Sequence, residues 1–215
     1  MRLRVVGVAL LAAALFPGCL TYERSETRVT FDAKTGAARV QINYANIAST
    51  EPGRNEQWTD FEQLDSLRRS DAYFANSYLR SPGGGKVAKR RVWIERGRIF
   101  ATASITTEDL NELSEGWSAD SSGYRYSSML EITDSNGSRT DDEKPTVFWP
   151  RSARVLTVSE RDPHFREAVP FRAEIRDSLA KRLPKPALRP TRVKRAAAHH
   201  GRRAKPPVKR RSARH

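Results

Sequence analysis

The sequence predicts an α+β domain: an antiparallel sheet of about six strands, two or three packed helices, and a disordered basic tail. Three observations predict it. β-Branched and aromatic residues recur at period two in paired runs around turn residues, the pattern of hairpins. Helical segments fall between runs of strands instead of alternating with single strands, which argues against a parallel sheet. Finally, Lys181 to His215 hold 14 Lys or Arg and no Asp or Glu. The chain of 215 residues is formally +14, so residues 1–180 are neutral overall and the basicity belongs to the tail. A single cysteine rules out an internal disulfide, and a packed core must hold the fold.

The elements follow in order. "TRVTFDAKTGAARVQINYAN" reads as a hairpin, with Val29 and Phe31 alternating on one strand, Val40, Ile42 and Tyr44 on the other, and a turn at Gly36. "TDFEQLDSLRRSDAYFANSYLR" reads as a helix opened by a capping box, Thr59 with Glu62, and carrying Phe61, Leu64, Leu67, Phe74 and Tyr78. "SPGGGK" ends it, since Pro82 cannot continue a helix. Residues 89–106 form a second hairpin turning at Arg96-Gly97, and a short helix at 107–115 carries Leu110 and Leu113 up to Gly116. "GYRYSSMLEIT" alternates, with Tyr124, Tyr126, Ser128, Leu130 and Ile132 on one face. "TVFW" and "ARVLTVS" are strands separated at Pro150, and "FRAEIRDSLAKRL" is a closing helix with Ile175, Leu179 and Leu183 inward. The single α+β domain therefore spans 27–183.

Several stretches invite a chemical reading. "SPGGGK" lacks the phosphate-loop pattern: Arg80 stands where its first glycine belongs, and Val87 follows Lys86. "DSNGSRTDDE" (134–143) has calcium-type carboxylates, but Gly137 is fourth where the loop needs it sixth, and Asn136-Gly137 reads as a turn. The body has one histidine, His164, close to Asp162, and no G-x-S-x-G accompanies it. Glu108 and Asp109 are adjacent and suit a helix start rather than a catalytic pair. No cysteine or histidine cluster has metal-ligand spacing, and His199-His200 lie in the tail. No catalytic, metal or cofactor site is assigned.

The N-terminus is more specific. Met1-Arg2-Leu3-Arg4 precedes an uncharged run from Val5 to Phe16, twelve residues, too short to span a bilayer as a helix, which takes about 20. Leu15-Phe16-Pro17-Gly18-Cys19 follows. This segment resembles the signal peptide of bacterial lipoproteins. The resemblance implies cleavage after residue 18, with lipidation of Cys19 and acylation of the new N-terminus. Leu20 rather than aspartate after the cysteine implies the outer membrane. Two other readings stay open: Ala12-Ala13-Ala14 as an ordinary cleavage site, and Cys19 as an apolar residue of an uncleaved segment. Residues 19–26 then form a lipidated tether to the first strand.

The tail, 184–215, has no aromatic residue and no acid, which predicts disorder. It resembles linker-histone tails in composition and offers charge without stacking platforms, so it suits any polyanion. The expectation is a non-catalytic envelope lipoprotein, bound to the membrane through Cys19, whose tail contacts anionic envelope polymers. The alternatives are an exported hydrolase using His164, and a nucleic-acid-binding protein if residues 1–18 are no signal peptide.

Overall fold

The computed structural model describes residues 20–183 except 82, 114, 115 and 141–143. Residues 1–18, read above as a signal peptide, Cys19, Pro82 and the tail with His199 and His200 lie outside them. The fold is α+β with two antiparallel sheets. In chain order the elements are β1 (Leu20–Phe31), β2 (Ala38–Ser49), α1 (Arg54–Arg69), α2 (Asp71–Tyr78), β3 (Lys86–Glu95), β4 (Arg98–Thr107), β5 (Trp117–Ala119), β6 (Gly123–Ser127), β7 (Glu131–Ser135), β8 (Ser138–Thr140), β9 (Thr146–Pro150), β10 (Val155–Arg161) and α3 (Ala173–Arg182). The large sheet runs β3-β4-β2-β1-β10-β7 and the small one β5-β6-β9-β8. The sequence pattern had suggested one sheet only.

Each local device has a cause in the sequence. The β3–β4 hairpin turns on Arg96 and Gly97, both at positive φ, as a two-residue loop matched to strand twist requires. The core side of the large sheet places Val29, Val40, Ile42, Ile105, Leu156 and Val158 against one another in register. Against it lie Phe61 and Leu64 of α1 and Ile175 and Leu179 of α3, all at most 1 % exposed. Burying side chains of this size stabilises by about 1.5–3 kcal/mol each.

Three expectations change. Residues 20–26 are strand, not tether: β1 starts at Leu20 and pairs with β2 from Leu20↔Ser49 onward. Its first half was unreadable because Leu20, Thr21 and Tyr22 are buried in succession instead of alternately, and the next inward position is the polar Ser25, which bonds Glu160 across the strand. The capping box does not form. α1 begins five residues earlier behind Gly53, and the Thr59 hydroxyl donates to the Asn55 carbonyl inside the helix. The long helix is two. Ser70 leaves helical geometry, and its side chain accepts from the Tyr73 N–H at 3.1 Å, capping α2.

Smaller differences follow the same logic. The 107–115 helix reduces to a 3-10 turn, Leu110–Glu112, whose cap is the Asp109 carboxylate. The face from Tyr124 to Ile132 is buried as expected but belongs to two strands, β6 and β7, in different sheets. Gly137 does not need positive φ. A β-carbon there would meet Val147 Cγ1 at 2.5 Å and the Phe148 carbonyl oxygen at 2.6 Å, so close approach of β9 demands glycine.

Candidate anionic-surface interface

Helices and small sheet cover the same side of the large sheet. Arg90, on that side, donates to the Leu67 carbonyl of α1, while Glu160 of β10 reaches Ser128 beside β6. The opposite side is open from Arg24 onward; before it Leu20, Thr21 and Tyr22, with Ile47, Ala48 and Ser49 opposite them, are buried in succession, so both sides are covered there. Along β1, Arg24, Glu26 and Arg28 are exposed while Ser25, Thr27 and Val29 are buried, and β2 repeats this with Arg39 and Gln41 outward against Val40 and Ile42.

Register assembles the open face into rows, because directly opposed residues share a side. One row runs Lys86, Thr106, Arg39, Thr30 across β3-β4-β2-β1. The next runs Lys89, Ser104, Gln41, Arg28 and on to Thr157 of β10. A third runs Arg91, Thr102, Asn43, Glu26, Ser159 and Asp134, the Thr102 hydroxyl donating to Asn43 at 2.8 Å. At the end of the sheet where β1 begins, Trp93 and Phe100 stack at 5.6 Å, and Arg24, Arg161 and Glu131 continue across β1, β10 and β7. The Arg91 guanidinium lies 5.4 Å from the Trp93 ring centroid.

With Arg98 and Glu95, opposed two residues beyond Trp93 and Phe100, eight cations share this face with four carboxylates, although residues 1–180 are neutral as a whole, and Arg98 is paired with Glu23 at 3.7 Å. Glu131 holds Arg161 at 2.7 Å. Among the described residues, no ion pair engages Arg24, Arg28, Arg39, Lys86, Lys89 or Arg91. An open cationic sheet with an aromatic pair at one end can hold an anionic surface by charge, with the rings covering less polar area. The basic positions were present in the sequence at the phase opposite to Val29, Val40 and Ile42. Only register shows that four strands add their cations on one side.

Beneath the face lies a buried polar seam. Glu160 is 2 % exposed and accepts hydrogen bonds from Ser25 Oγ at 3.1 Å and from Ser128 Oγ. Burial pushes its carboxyl up, partly offset by hydrogen bonds from Ser128, Tyr126 and Ser25. Burial, then the nearby Glu160 charge, also raises the Tyr22 and Tyr126 hydroxyls. Tyr22 packs at 4.9 Å on Tyr44, whose hydroxyl lies 2.9 Å from that of Tyr78. Every one of these groups is enclosed, so the seam ties the two sheets together without opening to a substrate.

The residues singled out for chemistry are not brought together. His164 is exposed, with Glu167 3.8 Å away, and Asp162 is turned from its ring, taking the His164 backbone N–H at 2.8 Å and the Thr21 hydroxyl at 2.5 Å. Asp109 caps its 3-10 turn. Asn136 accepts from Trp149 Nε1 at 2.7 Å and from the Thr157 N–H, roles that knit β9 to β10. Gly84 and Gly85 lie after α2 and lead into β3, the Gly84 carbonyl taking the Thr107 hydroxyl. No group of three potential metal-ligating side chains occurs among the described residues.

One cleft of about 490 Å³ lies at the far end of β1, with Phe31 stacked on Tyr124 at 4.7 Å and Arg151 5.0 Å from the Tyr124 centroid. Asp109 and Asp120 on its rim are each engaged by their own turns. Compared with protein-family models, curated proteins and solved structures, the chain matches none.

Proposed function

We propose that the chain is an envelope lipoprotein, acylated at Cys19 and held at the membrane; its α+β body is non-catalytic and its basic tail contacts anionic envelope polymers.

 The observation that carries it is the single cysteine, Cys19, directly after Gly18 and separated by two residues from a twelve-residue apolar run that a short basic start precedes. Leu20, the residue after Cys19, is already in β1 and only 2 % exposed. An acylated Cys19 would therefore hold a packed strand, not a flexible leash, at the bilayer surface. Acyl chains contribute about 0.8 kcal/mol per buried CH₂, so several of them on one residue make a stable anchor. The charge division supports the second half of the reading: the body is neutral overall, while the tail is purely cationic and long enough to extend on the order of 100 Å.

Metabolic labelling with radioactive palmitate tests the anchor. Label on the wild type and none on Cys19→Ser is the expected result; an unlabelled wild type overturns it. For the tail, deletion of 184–215 is expected to abolish salt-sensitive pelleting with purified cell wall. Unchanged pelleting would remove that contact from the reading.

A further inference from the structure

We propose that the open face of the large sheet is a second membrane contact, lying on an anionic lipid leaflet beside the Cys19 anchor. This rests on the anchored reading above. Two observations favour a planar lipid surface over a single polymer strand. Most of the cations stand on β3, β2 and β1, with the uncharged threonines and serine of β4 between the first two, a patch several strands wide at about 4.8 Å per strand, instead of along one groove. The aromatic pair, Trp93 on Phe100, sits at the end of the sheet where β1 leaves Cys19. Tryptophan at the boundary between headgroups and acyl chains, with arginines beside it, is the arrangement that membrane interfaces select.

The covalent geometry favours the contact. Arg24 lies five residues from Cys19 along a continuous strand, about 17 Å at 3.3 Å per residue. With no tether between them, anchoring Cys19 brings this end of the face to within reach of the headgroups. Each Lys or Arg near an anionic surface then adds about 1 kcal/mol, roughly a fivefold gain in affinity per cation. A lipid chain together with a basic patch is the two-signal combination that gives stable attachment.

The test separates this contact from lipidation in the cell. The chain from Cys19 to His215 is coupled through its single thiol to a maleimide lipid in vesicles, so anchoring is chemical and assured. Vesicles are phosphatidylcholine alone or with phosphatidylglycerol, each with and without brominated acyl chains, and tryptophan emission is read. Bromine quenching is expected only with phosphatidylglycerol, and it is expected to vanish in Trp93→Phe. The exposed-face variant Arg24→Ser/Arg28→Ser/Arg91→Ser is expected to lower the vesicle affinity of the uncoupled, thiol-blocked chain about a hundredfold at an unchanged melting temperature. Absence of Trp93-dependent quenching overturns the proposal. So does binding of the face to soluble dextran sulfate, lost in the triple variant, without any quenching by vesicles. A chain that passes here but takes up no palmitate in cells would sink the anchored reading alone.

Discussion

Ser25 and Glu160 stand directly opposite each other on β1 and β10, and the serine hydroxyl donates to Glu160 Oε2 at 3.1 Å. A carboxyl enclosed in this way holds its proton more tightly in the folded state than in the unfolded chain. Its contribution to stability is therefore complete below the ordinary carboxylate range and is lost as pH rises through the raised folded value. Glu160→Gln is expected to remove that loss. Urea midpoints of the two proteins, compared from pH 4 to pH 9, should diverge upward in favour of the variant. A constant difference across this range would contradict the raised carboxyl.

Asp65 works in the opposite sense. Its side chain is fully enclosed and takes Arg68 at 2.7 Å, Arg182 at 2.9 Å and Arg69 at 3.0 Å. Burial alone would raise the carboxyl, but the hydrogen bonds from Arg68 and Arg182 and the charges of Arg68 and Arg69 hold it below its ordinary value. Its stabilisation is present above the unfolded carboxylate value and is lost as pH falls through the lowered one. Asp65→Asn should cost about 2 kcal/mol at neutral pH, and the cost should shrink in acid. Chemical denaturation at pH 7 and pH 3 reads both.

Gly137→Ala should cost about 1–3 kcal/mol, because the added methyl meets Val147 and the Phe148 backbone, which cannot swing away as a flexible side chain would. A thermal melt of the variant, with the tryptophan signal of Trp149 followed alongside, checks it.

Substitution of Arg24, Arg28 or Lys89 by serine should leave unfolding free energy within about 0.5 kcal/mol per site, as these exposed cations make no ion pair among the described residues. A larger loss by urea denaturation would mean that the open face is structural, not a surface for a partner.

Much of this architecture was legible in the sequence. The Arg96-Gly97 turn followed from Gly97, which tolerates positive φ, although Arg96 shares that conformation, and the inward Ile175 and Leu179 of α3 followed from helical periodicity. What escaped reading was polar and buried. Ser25 and Glu160 sit at core positions where a hydrophobic pattern has nothing to register, and Leu20 to Tyr22 are buried without alternation, so the first half of β1 looked like a leash. The small sheet escaped because β5 and β8 are only three residues long and lie in Ser-rich stretches. The candidate interface was half visible: its cations could be named, but four strands had to be put in register before they shared a side.

The place of β1 also sets the order in which the molecule can be made. It is an inner strand, bonded to β2 on one side and to β10 on the other, with Thr27 opposite Val158. A chain delivered N-terminus first can zip β1 to β2 early, since only a short turn separates them. The other flank must wait until residue 161 has emerged, and a closure of that span is slow. During the wait β1 offers an unpaired flank, the surface on which newly made copies join one another wrongly. The interval before residue 161 arrives, then, is when this protein is most open to wrong pairing between copies.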